Sequence, residues 1–242
     1  MAYPIIGVST YRAKNPHRDP ILALQQAYVN ALIKAGGIPW LIPSCLDETT
    51  YPLLISRMDG FLFTGGGDIA IDRFNGEPHP LIHDLDTDRD EFELSFLKYL
   101  VNHGIPFLGI CRGLQVISVG LGGSLFTHIK DQLPDALKHD YYPSFPRSYL
   151  AHKVRIKSGT RLEKILGNSE LSVNSLHHQG VRDVPDMLEP SAFAPDGLVE
   201  AVELTGHPFG FAVQWHPEWL PDNDAMQRLF KAFIDAAKRK CD

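Results

Sequence analysis

The chain has 242 residues, of which 44% are apolar and 21% are charged, and its formal net charge is −6 at pH 7. These values are typical of a globular protein, and the acidic balance excludes a broad basic surface for nucleic acid or anionic lipid. The longest uncharged run, residues 113–127, is too short to span a bilayer, so we expect a small-molecule partner and neither nucleic acid nor a membrane.

Apolar runs suited to strands alternate with segments of helical spacing through the first half of the sequence. The runs "PIIGVS", "IPWLIP", "GFLF" and "IPFLGI" are predicted as buried strands. Between them, apolar residues recur at helical spacing from Leu24 to Ala35, where two glycines follow, and again from Phe92 to Leu100. This alternation predicts a parallel sheet with helices on both faces, whose ligands bind beyond the carboxyl ends of the strands.

From about Leu188 the pattern changes to consecutive strands joined by short turns, in "LEPSAFA", "LVEAVEL" and "GFAVQW". A last amphipathic helix runs from Met226 to Ala237, with Asp222 or Asn223 as its N-cap. No repeat or linker interrupts the sequence, so we expect a single domain over 1–242. The segment "HDYYPSFPRSYL", residues 139–150, is predicted as a long loop that borders the site.

Motifs for metal ions and nucleotides fail on inspection. The run "DLDTDRD" resembles the start of a calcium loop, but Arg89 stands at the required glycine position and Ser95 at the closing glutamate position. No phosphate-binding P-loop is present, and the histidines include no helical pair with a glutamate between. We therefore expect no metal ion and no ATP bound by a P-loop.

Cys111 stands in "GICRGLQ", directly after a predicted buried strand. The pattern G-x-C-x-G is the thiol counterpart of the turn that exposes a serine nucleophile between a strand and a helix. The N–H groups at the start of the following helix favour the thiolate. Cys45 and Cys241 do not stand in a G-x-C-x-G pattern. No pair of cysteines has the spacing of a disulfide framework or a metal site, which favours a reducing, cytoplasmic location.

A base and an oxyanion site complete the predicted chemistry. In "AVQWHPEW", an extended segment would put His216 and Glu218 on one face, so that the carboxylate holds the imidazole. In "LFTGGGD", glycines follow an apolar strand. A backbone N–H of this loop, together with the backbone N–H of Arg112, would hold the oxyanion of a tetrahedral intermediate. Taken together, these features predict that Cys111 is a nucleophile.

The motifs "TGGGD", "GICRGLQ", "VNSLHHQG" and "AVQWHPEW", in this order, resemble the γ-glutamyl-γ-aminobutyrate hydrolase group of the class I glutamine amidotransferase superfamily, also called peptidase C26. The resemblance covers nearly the whole chain. It implies a flavodoxin-like doubly wound α/β fold, with antiparallel strands added in the C-terminal third. It also implies hydrolysis of a γ-glutamyl amide of a small amine, with γ-glutamyl-γ-aminobutyrate as the best candidate, through a cysteine thioester and without a cofactor.

By this resemblance the catalytic triad is Cys111, His216 and Glu218. The oxyanion site is the backbone N–H of Arg112 with that of Gly65 or Gly66, a choice that the sequence leaves open. The implied substrate contacts are Gln115, Ser175, His177, His178 and Gln179. The two histidines could equally be packing residues, and the charges of "DRDEFE", from Asp88, could pair only with one another on a solvated helix start.

Three other functions stay open at this point. A glutaminase subunit that delivers ammonia to a separate synthase would share the triad, as would a hydrolase of poly-γ-glutamate or folate γ-glutamyl chains. A binding protein of the same fold without turnover is the non-enzyme alternative, although no triad member is missing. The sequence also leaves a homodimer open.

Overall fold

The computed structural model describes residues 3–238, and Cys241 lies outside them. The strands are β1 (Ile5–Ser9), β2 (Tyr11–Lys14), β3 (Pro20–Ala23), β4 (Ile38–Ile42), β5 (Gly60–Phe63), β6 (Phe107–Ile110), β7 (Ser124–Phe126), β8 (His152–Ile156), β9 (Glu170–Val173), β10 (Gly180–Asp183), β11 (Leu188–Phe193), β12 (Val199–Leu204) and β13 (Gly210–Val213). The α-helices are α1 (Gln26–Ala35), α2 (Tyr51–Ile55), α3 (Thr87–Asn102), α4 (Arg112–Gly120), α5 (Ile129–Gln132), α6 (Arg161–Leu166) and α7 (Asp224–Lys238). Short 3₁₀ helices occupy Glu48–Thr50, Ile71–Arg73 and Pro217–Trp219. Over 3–238, no helix has both the length and the apolar character needed to cross a membrane.

One 11-stranded sheet organises the molecule, with the order β4-β1-β5-β6-β13-β12-β11-β8-β9 and with β10 pairing with β12 and β7. The strands from β4 to β13 in this order are parallel neighbours. From β13 to β9 every pairing is antiparallel, and β2 and β3 form a separate hairpin. The predicted α/β fold with an antiparallel extension is thus confirmed.

The central strands divide their side chains between two cores, one on each face of the sheet. Leu62 and Leu108 pack in the core that contains α1, α6 and α7. Phe61, Phe63 and Phe107 pack in the core that contains α2, α3 and α4. Successive residues of a strand point to opposite faces, so a strand with helices on both sides is apolar along its whole length. This explains the continuous apolar runs "GFLF" and "FLGI" in the sequence.

The structure corrects the sequence predictions on the burial of β4 and on the start of the antiparallel part, and it decides the N-cap of α7. "IPWLIP" does contain β4, but the prediction that this strand is buried was wrong, because β4 lies at the edge of the sheet and leaves Ile38, Trp40 and Leu41 exposed. The antiparallel part begins before Leu188, since β7, β8 and β9 already belong to it. At α7, the cap is Asn223, whose Oδ1 accepts the N–H of Ala225 at 2.9 Å.

Candidate active site

A cavity of about 700 Å³ opens beyond the carboxyl ends of the parallel strands. Residues that directly follow β5, β6 and β13 line it, as do residues of the 139–150 loop, which was predicted to border the site. A larger cavity of about 1340 Å³ between α1 and α7 does not contain Cys111, so the smaller cavity is the candidate active site. Most of the predicted site residues belong to its wall: Cys111, His216, Gly65, Gly66, Arg112, Gln115, His177, His178 and Gln179.

Cys111 occupies a strained turn between β6 and α4, with φ 55° and ψ −106°. A residue with a side chain rarely adopts a positive φ, and at functional sites such a conformation is maintained by the surrounding structure. Close packing explains the flanking glycines. A Cβ on Gly109 would lie 2.6 Å from Ile117 Cδ1, and one on Gly113 would overlap the carbonyl oxygen of Phe63. The turn therefore holds the thiol at the end of β6, where the cavity begins.

His216 and Glu218 form a buried pair, with 2.6 Å between Nδ1 and Oε1. The predicted contact is present, but the predicted reason for it was wrong, because Pro217–Trp219 forms a 3₁₀ turn and not an extended segment. Burial lowers the pKa of His216, but the charges of Glu218 and Cys111 outweigh burial and raise this pKa to about 10. At neutral pH the imidazole is therefore a cation beside the thiol of Cys111.

The glycine loop after β5 offers one free N–H group and one that is already used. The N–H of Gly65 donates to the hydroxyl of Tyr28 at 2.9 Å, whereas the N–H of Gly66 has no acceptor within residues 3–238. The N–H of Arg112 is also free, since it is the first residue of α4 and has no acceptor within the helix. Burial raises the pKa of Tyr28 well above its usual value, as do the charges of Glu218 and Cys111, so its hydroxyl stays neutral.

A buried ionic network lies directly behind this glycine loop. The guanidinium of Arg89 bonds to Glu93, with 3.0 Å between Nε and Oε1, and also donates to the carbonyl oxygens of Thr64 and Gly65. The side chain of Arg112 pairs with Glu93 and with Asp90. Burial raises the pKa of Glu93, but the charges of Arg112 and Arg89 outweigh it and leave this pKa lowered. The network thus joins the glycine loop to the start of α4.

These contacts correct the interpretation of "DRDEFE" as a solvated helix start. Arg89, Asp90 and Glu93 are at most 1% exposed. Asp90 and Glu93 pair with Arg112 from the nucleophile turn, and Arg89 pairs with Glu93 on its own helix. Each buried charge thus lies against an opposite charge, and buried charges occur in this way. The sequence could not show the pairing because the partners are 19 and 22 residues apart.

The predicted substrate contacts divide between the cavity and the protein interior. Gln115 is buried and donates from Nε2 to the carbonyl oxygen of Gln179 at 3.0 Å. Gln179 belongs to the cavity wall, and its buried Nε2 has no acceptor among the described residues. Ser175 is fully buried, is not part of the cavity wall, and binds the carbonyl oxygen of His139. We therefore regard Ser175 as a support of the loop.

The two histidines of "NSLHHQG" have different environments. His177 is buried, and its Nδ1 lies 2.9 Å from the carbonyl oxygen of Gln179. Burial lowers the pKa of His177 well below its usual value, so it is neutral. His178 faces the cavity and its Nε2 contacts the Asp68 carboxylate at 2.9 Å, while its Nδ1 lies 3.1 Å from Nδ1 of His128. His178 thus bridges two polar groups at the cavity rim.

Three contributing residues were missed at the sequence level. Tyr28 holds the glycine loop, and Asp68 holds His178. Asn174 accepts the N–H of His216 at 2.8 Å and donates to the carbonyl oxygen of the same residue at 3.0 Å. Asn174 stands in the motif "VNSLHHQG", so it was within reach of motif analysis, whereas nothing in the sequence connects Tyr28 with the loop 37 residues away.

Two groups of side chains, one in the cavity wall and one outside it, have the spacing that a metal ion needs. In each group the candidate ligand atoms lie within 4.8 Å of one another; the groups are Asp68, His83 and His178, and His79, His128 and Asp131. In each group two of the three side chains already contact each other: His178 Nε2 lies 2.9 Å from the Asp68 carboxylate, and His79 Nε2 lies 2.9 Å from that of Asp131. Hydrogen bonding therefore accounts for one pair in each group.

The comparisons with known proteins agree with this geometry. The sequence profile of the family described as Peptidase C26 matches residues 4–218. The chain belongs to the peptidase C26 family. It is a hydrolase of the amidotransferase-like type, as the motifs indicated.

Relatives match the chain over nearly its full length. The γ-glutamyl-γ-aminobutyrate hydrolase of Escherichia coli strain K12 is 37% identical over 247 residues, which cover 98% of this chain and 95% of that protein. A glutamine amidotransferase-like protein of Rickettsia prowazekii is 35% identical and covers 97% of this chain and 98% of its own length. A solved structure from Thermoplasma acidophilum, described as one subunit of a GMP synthase, has a TM-score of 0.68 and 20% identity, with coverage of 100% of this chain and 97% of that one. This last likeness supports the fold alone.

Proposed function

We propose that this chain hydrolyses the γ-glutamyl amide of a small amine, with Cys111 as the nucleophile. The observation that carries the proposal is the meeting of three components in one cavity: the strained Cys111 turn, the His216–Glu218 pair, and the free N–H groups of Gly66 and Arg112. These are the parts that acyl transfer through a thioester needs. The unbroken sheet supports the further proposal that the chain acts as one domain over 1–242.

The reaction proceeds in two halves. The Cys111 thiolate attacks the γ-carbonyl carbon, and the oxyanion that forms is held by the N–H groups of Gly66 and Arg112. His216, as the imidazolium, donates its proton to the amine nitrogen, the C–N bond breaks, and a γ-glutamyl thioester remains. Neutral His216 then takes a proton from water as the water attacks the thioester. The C–S bond breaks, glutamate leaves, and the thiolate–imidazolium pair is restored.

The choice between Gly65 and Gly66 follows from hydrogen bonding. An oxyanion needs a donor that is not already occupied, and the N–H of Gly65 is bound to Tyr28. Gly66 has a second advantage, because Arg89 binds the carbonyl oxygen of Gly65, which belongs to the same peptide group as the N–H of Gly66. The guanidinium thereby fixes the direction of this N–H and strengthens it as a donor. We therefore assign the oxyanion site to Gly66 and Arg112.

The proposed substrate is γ-glutamyl-γ-aminobutyrate, cleaved to glutamate and γ-aminobutyrate. Its support is the similarity to hydrolases named for this substrate, together with the position of Gln115 and Gln179 in the wall of the cavity that contains Cys111. The test is glutamate release from a panel of γ-glutamyl amides by the purified chain, without ATP or another protein. Hydrolysis of free glutamine alone, or activity that needs an added synthase, would instead assign the chain as an amidotransferase subunit.

A matched pair of variants tests the nucleophile. Cys111→Ala should fold and lose hydrolysis by about 10³-fold or more, because removal of a nucleophile leaves only the binding and oxyanion contributions. Cys45→Ala changes an exposed cysteine outside the cavity wall and should keep wild-type rates. Full activity in Cys111→Ala would overturn the assignment of the triad.

A further inference from the structure

Four arginines line the active-site cavity, and Arg147 differs from the other three. Three of them pair with carboxylates: Arg12 with Asp86 and Asp88, Arg89 with Glu93, and Arg112 with Asp90 and Glu93. Arg147 has no carboxylate partner and no hydrogen bond to its guanidinium within residues 3–238. It is half-buried in the loop at the cavity mouth. A charge in such a position has given up part of its hydration without gaining an ion pair.

Aromatic rings hold this guanidinium in place. Its central carbon lies 4.0 Å from the ring centroid of Tyr142 and 5.5 Å from that of Trp219. Stacking occupies the flat faces of a guanidinium and leaves the N–H groups at its edge available for a planar, two-oxygen acceptor. The arrangement is therefore suited to a carboxylate that enters the cavity.

The backbone of Arg147 is also tied to the catalytic base. Asn174 Nδ2 donates to the carbonyl oxygen of Arg147 at 2.8 Å and to that of His216 at 3.0 Å. Trp219, which the guanidinium contacts, directly follows Glu218 in the chain. The cation thus has a fixed position relative to the base, as a specificity residue requires.

The elements that line the cavity differ in the groups that they present. Gln115, Gln179 and His178 lie on the side of α4 and the histidine loop, where the glutamyl half is expected. Arg147 belongs to the 139–150 loop at the mouth, where the leaving amine would extend. Of the carboxylates in the wall, those of Asp68 and Asp84 contact His178 and His83, and that of Asp86 caps α3 and faces Arg12. Asp140 is exposed on the same loop as Arg147. Among the described residues, Arg147 is the arginine of the wall that is left to bind a carboxylate on the substrate.

We propose that Arg147 binds a carboxylate on the leaving amine, so that the enzyme selects γ-glutamyl conjugates of amino acids over those of uncharged amines and diamines. This inference rests on the proposed function. An uncharged amine makes no ionic contact with Arg147, and the ammonium group of a diamine would be repelled by it. A bidentate contact that persists in the transition state raises kcat/KM and not only binding.

The test compares γ-glutamyl-γ-aminobutyrate with γ-glutamyl-n-butylamide, which has nearly the same length but ends in a methyl group. The wild-type chain should favour the first by about 10- to 100-fold in kcat/KM, the range expected for a charge-assisted hydrogen-bonded pair. In Arg147→Gln the ratio should fall to near one. Arg155→Gln is the matched control, because Arg155 also lies over an aromatic ring, that of Phe193 at 5.2 Å, but outside the cavity wall. Its ratio should equal that of the wild type.

Each failure has its own meaning. If the wild type cleaves both amides equally well, or if Arg147→Gln slows both by the same factor, the carboxylate subsite is wrong while the proposed hydrolysis stands. An equal loss on both substrates would indicate instead that Arg147 binds the glutamyl half common to them. If neither amide is cleaved, the proposed function fails and the subsite fails with it.

Discussion

The charge on His216 determines which proton transfer opens the reaction. Its pKa of about 10, raised by Glu218 and Cys111 against the effect of burial, keeps the imidazole protonated at neutral pH. A protonated base cannot take a proton from the thiol, so the first proton transfer of His216 in the proposed reaction is the one to the leaving amine. Amines are poor leaving groups unless they are protonated. The carboxylate of Glu218 supports this protonation, because it raises the pKa of His216 and so keeps the proton on the imidazole.

Replacement of this carboxylate should therefore change the pH profile as well as the rate. Glu218→Gln removes a charge that raises the pKa of His216, so the alkaline limb of kcat should move to lower pH. The value of kcat should fall by about 10² to 10⁴, with a smaller effect on KM, because the pair acts on proton transfers and not on binding. Rates on a γ-glutamyl amide between pH 5 and pH 10 measure both effects.

An exposed glutamate provides the control for this experiment. Glu189→Gln makes the same chemical change on β11, where the side chain is 41% exposed and pairs with Lys157 outside the cavity. It should leave the pH profile in place. If Glu218→Gln raises KM while kcat and the alkaline limb stay near wild type, Glu218 binds substrate and does not orient the base.

Helix α4 is the element on which the nucleophile depends, and glycine sets its distance from the sheet. A Cβ on Gly113 would overlap the backbone of Phe63 at the end of β5. Gly113→Ala must therefore push α4 away from the strand and move Cys111 relative to His216. Overpacking of this kind costs about 1–3 kcal/mol in the free energy of unfolding. We expect this loss in urea titrations, together with a fall in kcat.

Ser118→Ala is the matched control on the same helix. Ser118 is fully buried and its Oγ has no hydrogen-bond partner among the described residues. Replacement by alanine adds no volume and removes an unsatisfied polar atom, so the free energy of unfolding should stay the same or rise. A Gly113→Ala protein with wild-type stability and kcat would show that α4 has room to move, and that the close approach is not required.

Features that depend on residues close together in the sequence were predicted well. Features that depend on contacts between residues far apart in the sequence were not. The nucleophile turn was predictable because its glycines stand two residues from Cys111, and α1 because Gly36 ends it in the left-handed conformation with φ 92°. The burial of α3 was not predictable. Arg89 and Glu93 resemble an exposed i, i+4 pair on any helix, and only the arrival of Arg112 from another element makes them interior groups. Oxyanion geometry was also out of reach, since it depends on Tyr28.

At the scale of the whole molecule, the sheet extension buries a charge cluster that the proposed reaction does not use. Glu200 on β12 is fully buried, and neither of its carboxylate oxygens has a hydrogen-bond partner among the described residues. Oε1 of Glu200 lies 3.6–3.7 Å from a ring nitrogen of each of three histidines, His139, His152 and His177. The other ring nitrogen of His139 contacts the carboxylate of Asp196. Burial raises the pKa of Glu200 to about 7, with a contribution from Asp196, although the charges of His152 and His139 oppose the shift.

This shift makes the stability of the fold depend on pH. The folded chain holds the Glu200 proton up to about pH 7, whereas the unfolded chain releases it near the ordinary value of 4.5. The protonated Glu200 therefore makes its full contribution to the free energy of unfolding below pH 4.5. This contribution, roughly 3 kcal/mol, is lost as the pH rises to 7. Glu200→Gln cannot titrate, so its free energy of unfolding relative to wild type should rise by up to this amount between pH 4.5 and pH 8.

Urea unfolding of both proteins at several pH values between 4.5 and 8 gives the measurement, and the difference between them cancels the titration of groups that do not contact Glu200. Glu170→Gln is the control, because Glu170 lies on β9 of the same sheet with its side chain 54% exposed and lacks the burial that shifts Glu200. The difference in the free energy of unfolding between Glu170→Gln and wild type should not show the change expected for Glu200→Gln. A constant difference for Glu200→Gln as well would mean that Glu200 stays ionised over this pH range in the folded chain, and that it is not the protonated acid inferred from its burial.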